Sequence, residues 1–599
     1  VPLGIALATA LVFLPALRND FVRWDDEANL LANPAYRGLV WPQIKWMFTT
    51  YRPGGHYIPL TWLSFGLDYV VWKLNPVGYH LTNVLLHVAG TVLFFFVARA
   101  LIVRANTLSG TASVVGAAGA ALFFGIHPLR VESVAWATER RDVLSGVFFF
   151  ATLLFYIAAS EAEAPRRRRL LGASSGTYLA ALLAKPIVMT LPLVLILLDV
   201  YPLRRLSWPP RAWLHPAARR VLIEKLPYLL LGILGTAVSL YAQAHGVPRP
   251  PSPALERVAN ILYSVWFYGV KTVVPVGLAP MYETPAHTSL LAPHFLAAAV
   301  GVLGVTALAL RYAARWPAGL VALAYYGIVL APVSGVFFSS YLVADRYSYL
   351  PCLGWAVLVG AAIGAVGDEV GRGALAPRVG RAAAAAAVAG FLGLAALTSQ
   401  QVQFWHDTES LWRRAVAVDP GCALCHVFLG DTLLDRGATI SALPHFERAV
   451  ALRPDRLDYR IRLAAALGAL GAWQEAADEL QTVLARAPND VGTRNDLAVA
   501  LLQVGRPADA VAVLEPAVRR APDHPGPHAT LGLALSELGR HDAAVEQFRR
   551  AIELRPGLSA ARLGLMRAYV ALGRADLARE QYEALLTLDS RLVADLPRP

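Results

Sequence analysis

The chain has 599 residues, 56% of them hydrophobic and only 16% charged, with a mean hydropathy of +0.47. A soluble globular chain carries about 25% charged residues, so a single soluble domain is excluded. Lys and Arg number 54 against 42 Asp and Glu, a net charge of +12. In a membrane protein that excess reports topology first, and no nucleic-acid partner is read from it.

Apolar stretches recur from Val1 to about Ser399 and then stop. Val1 to Leu17 lacks the basic start of a cleavable signal peptide and reads as most of a first membrane helix. Eleven crossings are predicted, at about residues 2–17, 82–103, 111–126, 143–159, 170–184, 187–201, 226–243, 293–310, 317–337, 349–366 and 382–399. The run Arg166 to Arg169, and the crowd of Arg204, Arg205, Arg211, Arg219, Arg220 and Lys225, mark cytoplasmic loops. Arg311, Arg315, Arg372, Arg378 and Arg381 fall on the same side only if residues 258–281 do not cross. That stretch is interrupted by Lys271, Pro275 and Pro280, and it reads as an interfacial or re-entrant segment on the outer side. Residues 18–81, 127–142, 244–292, 338–348 and the C-terminal third then face the periplasm. Scarce lysine and abundant Ala, Gly and Pro suggest a high-GC bacterial genome, and three cysteines exclude a disulfide-dense scaffold.

After Ser399 a strict period of 34 residues sets in: Pro420, Pro454, Pro488, Pro522 and Pro556 are in register. The same period places Gly437, Gly471, Gly505, Gly539 and Gly573 at turns, and Leu429, Leu463, Leu497, Leu531 and Leu565 in the first helix of each pair. Ala442, Ala476, Ala510, Ala544 and Ala578 stand where two helices approach. This is the tetratricopeptide (TPR) pattern of helix, turn and helix. The expected organisation is a transmembrane domain over 1–400, a connector resembling a half repeat over 401–420, five repeats over 421–590 and a tail over 591–599. Stacked repeats leave a concave groove for an acceptor protein or peptide.

Two loops concentrate the chemistry. RNDFVRWDDEANL places Asp25, Asp26 and Glu27 beside Trp24 at the outer membrane face. Three adjacent carboxylates repel, so a pKa rises or a cation binds, unless the loop is simply solvated. A carboxylate there serves as a general base if it reaches an acceptor hydroxyl. HPLRVESVAWATERRDVL packs His127, Arg130, Glu132, Glu139, Arg140, Arg141 and Asp142 between two spans, more than helix-end snorkelling accounts for. If helical, Glu132 and Trp136 share a face, as do Glu139 and Asp142. Arg52, His56, Lys185, Lys271, Asp345 and Arg346 add outer-face polar groups. Cations beside carboxylates suit a lipid-linked phosphosugar, and by spacing alone they suit an ion or solute transporter equally.

The segments WDD, RPGGHYIPLTW with LNPVGYHLTNVLLH, HPLRVESVAWATERRDVLS, KPIVMTLPLVLILLD, EKLPYLL, GVKTVVPVGLAPMY and DRYSYLP, followed by TPRs, resemble one family. It comprises the bacterial membrane-embedded, TPR-containing relatives of the protein O-mannosyltransferases, the group that includes the animal transmembrane and TPR-repeat-containing enzymes. The resemblance implies an all-α GT-C glycosyltransferase that takes a sugar, typically mannose, from a polyprenyl-phosphate donor to Ser or Thr hydroxyls with inversion. It maps the catalytic base to Asp25 or Asp26, and it assigns donor-phosphate contacts to Arg140, Arg141, Lys185, Lys271 and Arg346. Trp24, Glu27, Arg52, His56, His127, Glu132, Asp142 and Asp345 line the site by the same mapping. Arg130 departs from the pattern, where a second His is expected. Divalent-metal dependence is left open, and membrane lipid is an expected partner. The alternatives to an enzyme of the bacterial inner membrane are a TPR scaffold without catalysis and an exporter of lipid-linked sugar.

Cys422, Cys425 and His426 spell CALCH. CxxCH is the pattern of covalent haem attachment, but a TPR helix start offers no evident haem pocket or second axial ligand. A disulfide, plain thiols, metal ligation and a redox-labile pair are the other readings.

Overall fold

The computed structural model describes residues 1–51, 56–105, 108, 110–208, 210–244, 253–285, 288–335 and 342–588. Among these the chain is all-α, with an isolated bridge between Tyr282 and Val343 and no strand. It divides into two compact units, Val1–Asp419 and Pro420–Pro599.

The first unit is a polytopic membrane bundle. Among the described residues six helices are long and apolar enough to cross a membrane: Pro76–Arg104, Ala137–Glu161, Pro216–Ala244, Pro293–Arg311, Leu353–Gly371 and Pro377–Gln403. Gly110–Gly125 and Pro128–Ala135 form a pair bent by 56°, and Pro2–Arg18, Pro186–Val200 and Pro317–Val333 are shorter apolar helices. Among the described residues each of the eleven expected segments contains helix, and six of these helices, or seven with the bent pair, are long and apolar enough to be spans. Prolines shorten the apolar helices Pro2–Arg18, Pro186–Val200 and Pro317–Val333. Arg166–Ala184 also takes the four-arginine run into its first turn instead of leaving it in a loop.

The segment expected to break at Lys271 does not do so. Ala254–Val273 is one helix, and Lys271 turns its ammonium onto the carbonyl of Val276 just beyond the end. Pro275 stops the helix, as a missing N–H and a fixed φ require. Close packing elsewhere rests on small residues. A Cβ on Gly360 would stand 2.2 Å from the Gly116 carbonyl oxygen, so these two helices touch backbone to backbone.

The second unit is the TPR solenoid. Five helix pairs run from Ala423–Asp435 with Thr439–Leu452 to Ser559–Ala571 with Ala575–Leu588. The five turn glycines all adopt positive φ, between 69° and 81°, which is why the period keeps glycine there. The register alanines are at most 2% exposed, and the register leucines at most 6%. One continuous apolar core, from Ala464 to Leu585, therefore links the second to the fifth repeat.

A further periodic position emerges only in the structure. Six residues after each register proline stand His426, Arg460, Arg494, His528 and Arg562. Arg494 and Arg562 donate to the carbonyls of Pro488 and Pro556, and the imidazole Nε2 atoms of His426 and His528 lie 3.3 and 3.1 Å from those of Pro420 and Pro522. Each side chain also meets the second helix of its pair, 19 residues on, as Arg460 does with Glu479 and His528 with Gln547. His426 is thus a strut of the repeat. Cys422 and Cys425 form a disulfide, so the CALCH segment offers haem neither two thiols nor an uncommitted imidazole.

Candidate active site

The polar residues of the second loop do not sit on one helix. Pro128–Arg130 is a single 3-10 turn, Val131–Ala135 a short helix, Trp136 extended, and a second 3-10 turn leads into Arg140–Glu161. The condition for Glu132 and Trp136 to share a helical face, that one helix carries both, is therefore not met. The break at Trp136 faces its indole toward Trp24 of the first loop, with ring centroids 4.4 Å apart and 11° between planes. Trp412 meets Trp24 edge-on, with ring centroids 5.2 Å apart. The acidic loop is thereby wedged in place.

Within that wedge the two aspartates diverge. Asp26 is 1% exposed; one carboxylate oxygen accepts from the Val22 amide at 3.0 Å, and the other from the Thr138 amide at 2.9 Å and the Thr138 hydroxyl. Burial outweighs these bonds and pushes its pKa up to about 7. Asp25 keeps a side chain 34% exposed and lies 4.0 Å from the Arg141 guanidinium. Asp26 ties the loop to the turn, and Asp25 presents a carboxylate.

Behind Asp25 the charges converge on Glu139. This fully buried carboxylate meets Arg141, Lys185 at 3.0 Å and Arg346 at 3.3 Å. Lys185 also bonds Asp142 at 2.7 Å, and Arg346 pairs with Glu132, which accepts the Arg346 amide as well. Ser133 donates to Asp142 at 3.1 Å. Arg346 stands over the faces of Trp24 and Trp136, 6.0 and 5.5 Å from their centroids. Arg130 braces the third element: its guanidinium donates to the carbonyl and hydroxyl of Ser348, fixing the turn that carries Asp345 and Arg346. Asp345 accepts from Tyr282 at 3.0 Å, and burial, with the Glu132 charge nearby, raises its pKa well above the usual range.

The structure thus brings together Trp24, Asp25, Glu132, Asp142, Lys185, Arg141 and Arg346, with Asp345 at the edge. Other expected residues lie elsewhere. Arg140 is turned away into the bundle, paired with Asp68 at 2.5 Å and bonded to Asn83 and the Tyr79 carbonyl. That saturates a guanidinium expected to hold phosphate. His127 is spent on the Leu129 amide and the Thr272 carbonyl, and Lys271 on the loop after its own helix. Glu27 pairs with Arg23 at 3.7 Å in the half-exposed first turn, His56 is exposed, and Arg52 lies outside the described residues. Glu139 was not among the expected site residues. Its signal was the three-residue spacing to Asp142, which lets both reach Lys185. Among the described residues no three His, Cys, Asp or Glu side chains are grouped to hold a metal ion.

Models of the tetratricopeptide repeat match residues 433–491, 495–559 and 535–591. Protein O-mannosyl-transferase Tmtc3 of Drosophila melanogaster is 24% identical over 467 residues, covering 68% of this chain and 49% of its own length. Protein O-mannosyl-transferase TMTC1 of Homo sapiens is 24% identical over 504 residues, covering 75% and 55% respectively. This is a TPR protein similar to the O-mannosyl-transferases. Mus musculus TMTC4 shows the same 24% identity, over 74% of this chain and 65% of its own length. The chain spans about half the length of the first two of these relatives. A solved thermophilic TPR protein of Thermus thermophilus, 27% identical, covers 29% of this chain and 94% of its own at a TM-score of 0.26.

Proposed function

We propose that the chain is a membrane glycosyltransferase that moves a sugar, typically mannose, from a polyprenyl-phosphate carrier to a Ser or Thr hydroxyl of a protein. The carrying observation is the partly exposed Asp25 carboxylate held 4.0 Å from Arg141, beside a cluster that gathers three cations on Glu139. In this reading Asp25 takes the acceptor hydroxyl proton as the oxygen bonds the anomeric carbon. The bond from that carbon to the phosphate oxygen breaks, and its electron pair leaves with the lipid phosphate. Arg141, Lys185 and Arg346 stabilise the charge that develops there. Asp26 is a positioning residue, because both of its oxygens are already bonded. Inversion follows from a single displacement.

The reading extends to residues 1–400 as the transferase domain and 421–590 as the surface that receives the acceptor. It places the chain in a bacterial inner membrane, with the repeats and the acidic loop on the periplasmic side.

Purified protein, radiolabelled polyprenyl-phosphate-mannose and a periplasmic extract test the proposal. Label should move to Ser or Thr, and Asp25→Asn should lower the rate by about 10²- to 10⁴-fold, the range of a lost general base. Label that remains in lipid with wild-type protein would overturn it. The second reading is a scaffold without catalysis, favoured by one observation: each of the three cations already has a carboxylate partner. It expects Asp25→Asn to leave the cellular phenotype intact, and label that crosses a membrane without reaching protein points to transport instead.

A further inference from the structure

An apolar cavity of about 550 Å³ lies in the half of the bundle away from the Glu139 cluster. It touches Leu153, whereas Glu139 stands fourteen residues earlier along the same run of helix, about 20 Å at the rise of an α-helix. One wall is Leu353–Gly371, lined from Leu353 to Ala365, a length of about 18 Å. That is close to one leaflet of a hydrocarbon core about 30 Å thick. At the mouth stand Arg204, Arg315 and Trp316.

Among the described residues the two guanidiniums are the only charged groups on a lining that is otherwise almost wholly apolar. Both side chains are exposed, and neither has an ion-pair or hydrogen-bond partner among the described residues. An unpartnered cation at a membrane boundary attracts anions, and two at the opening of an apolar slot match a molecule with one anionic end and one long apolar end.

The loop that offers Arg204 is built to hold it. Arg204 has φ +53°, a conformation that a non-glycine residue keeps only when its surroundings impose it. The amides of Leu203, Arg205 and Leu206 on either side are anchored to the carbonyls of Leu198 and Asp199 at 2.7 to 3.0 Å. The buried Asp199 carboxylate is in turn locked by Lys225 at 2.6 Å and Arg205 at 3.2 Å. Arg205 is consumed inside the fold, while its neighbour is turned out to the cavity mouth.

We propose that this cavity is a binding site for an anionic phospholipid, one acyl chain filling the slot and the phosphate resting on Arg204 and Arg315. The site is separate from the Glu139 cluster and does not depend on the transferase reading.

The test uses the full-length protein in nanodiscs doped with phosphatidylglycerol that carries a diazirine in its acyl chain. Photoadducts are expected to concentrate on peptides covering 94–105 and 353–365, and unlabelled phosphatidylglycerol should displace the probe far better than phosphatidylcholine. Arg204→Gln with Arg315→Gln, two exposed positions without partners, should cut labelling there by about tenfold or more. Ala361→Phe, which fills the slot, should abolish it and leave labelling of the other helices unchanged. Labelling spread evenly over the lipid-facing helices, equal competition by phosphatidylcholine, or no response to the Gln pair would overturn the assignment. So would polyprenyl phosphate displacing the probe better than phosphatidylglycerol does, because the slot would then belong to that carrier. Should Ala361→Phe fail to fold, the Gln pair decides the question alone.

Discussion

Replacing Asp26 by asparagine should alter stability with a sign that depends on pH. Burial raises the folded pKa of Asp26 from 3.8 to about 7. The folded state therefore holds a proton that the unfolded chain has already released between those values, so stability is fully present below about pH 4 and falls as pH rises toward 7. At about 1.4 kcal/mol per pH unit the loss reaches roughly 4–5 kcal/mol, none of which the asparagine variant suffers. The variant has its own cost. An amide nitrogen cannot accept, so at least one of the donors from Val22 and Thr138 is left unmet in a buried site, costing about 1–3 kcal/mol at all pH values. The two terms cross. Thermal melting of the purified full chain in detergent should find Asp26→Asn less stable than wild type at pH 4.5 and equal to it or more stable at pH 8.5. A difference between the two proteins that is the same at both pH values would refute the reasoning, since it would mean that Asp26 carries no proton into the fold.

Glu139→Gln should lower the melting point sharply, because it leaves Arg141, Lys185 and Arg346 crowded with one carboxylate fewer; breaking a buried ion pair costs about 3–5 kcal/mol. Arg140→Gln should destabilise by a similar amount, about 3–5 kcal/mol, through the buried Asp68 it abandons, and adding Asp68→Asn should restore much of the loss in a double-variant cycle. If Arg140 instead contacts donor phosphate, the second substitution will not help and the KM for the lipid donor will rise. In the solenoid, Gly505→Ala should cost about 1–2 kcal/mol from backbone alone, since φ is +76° and nothing lies within 4 Å of the new methyl. Gly532→Ala should cost about 1–3 kcal/mol by a different route, its methyl falling 2.7 Å from the Phe548 ring, so that Phe548→Leu rescues the second and not the first.

The solenoid was legible because each repeat poses the same local problem, and the answers recur in phase. A left-handed turn requires glycine and a close helix contact requires alanine, so period alone reveals both. The donor six residues after each proline escaped notice because it is His in two repeats and Arg in three. Hydrogen-bonding capacity is retained there while residue identity is not, and a pattern read by identity does not register it. The same blindness kept haem among the alternatives for the CALCH segment: its histidine belongs to that donor series, which becomes visible only when His426 is set beside Arg494 and Arg562.

The transmembrane site was legible in composition and not in direction. The sequence places seven ionisable groups between His127 and Asp142, but whether a side chain turns to the cluster or into the bundle depends on where the helix starts. The extended backbone at Trp136 resets that phase. After the break Arg141 meets both Glu139 and Asp25, and Arg140, next to it in sequence, points to Asp68. Two adjacent arginines therefore cannot share one role, and neither can two adjacent aspartates: Asp26 is consumed in holding the loop that Asp25 uses. In each pair the partners decide the role. Arg140 is held by Asp68 and Arg141 by Glu139 beside Asp25, while Asp26 is buried with both oxygens bonded and Asp25 keeps a side chain 34% exposed, so placement and not residue type separates Asp25 from Asp26.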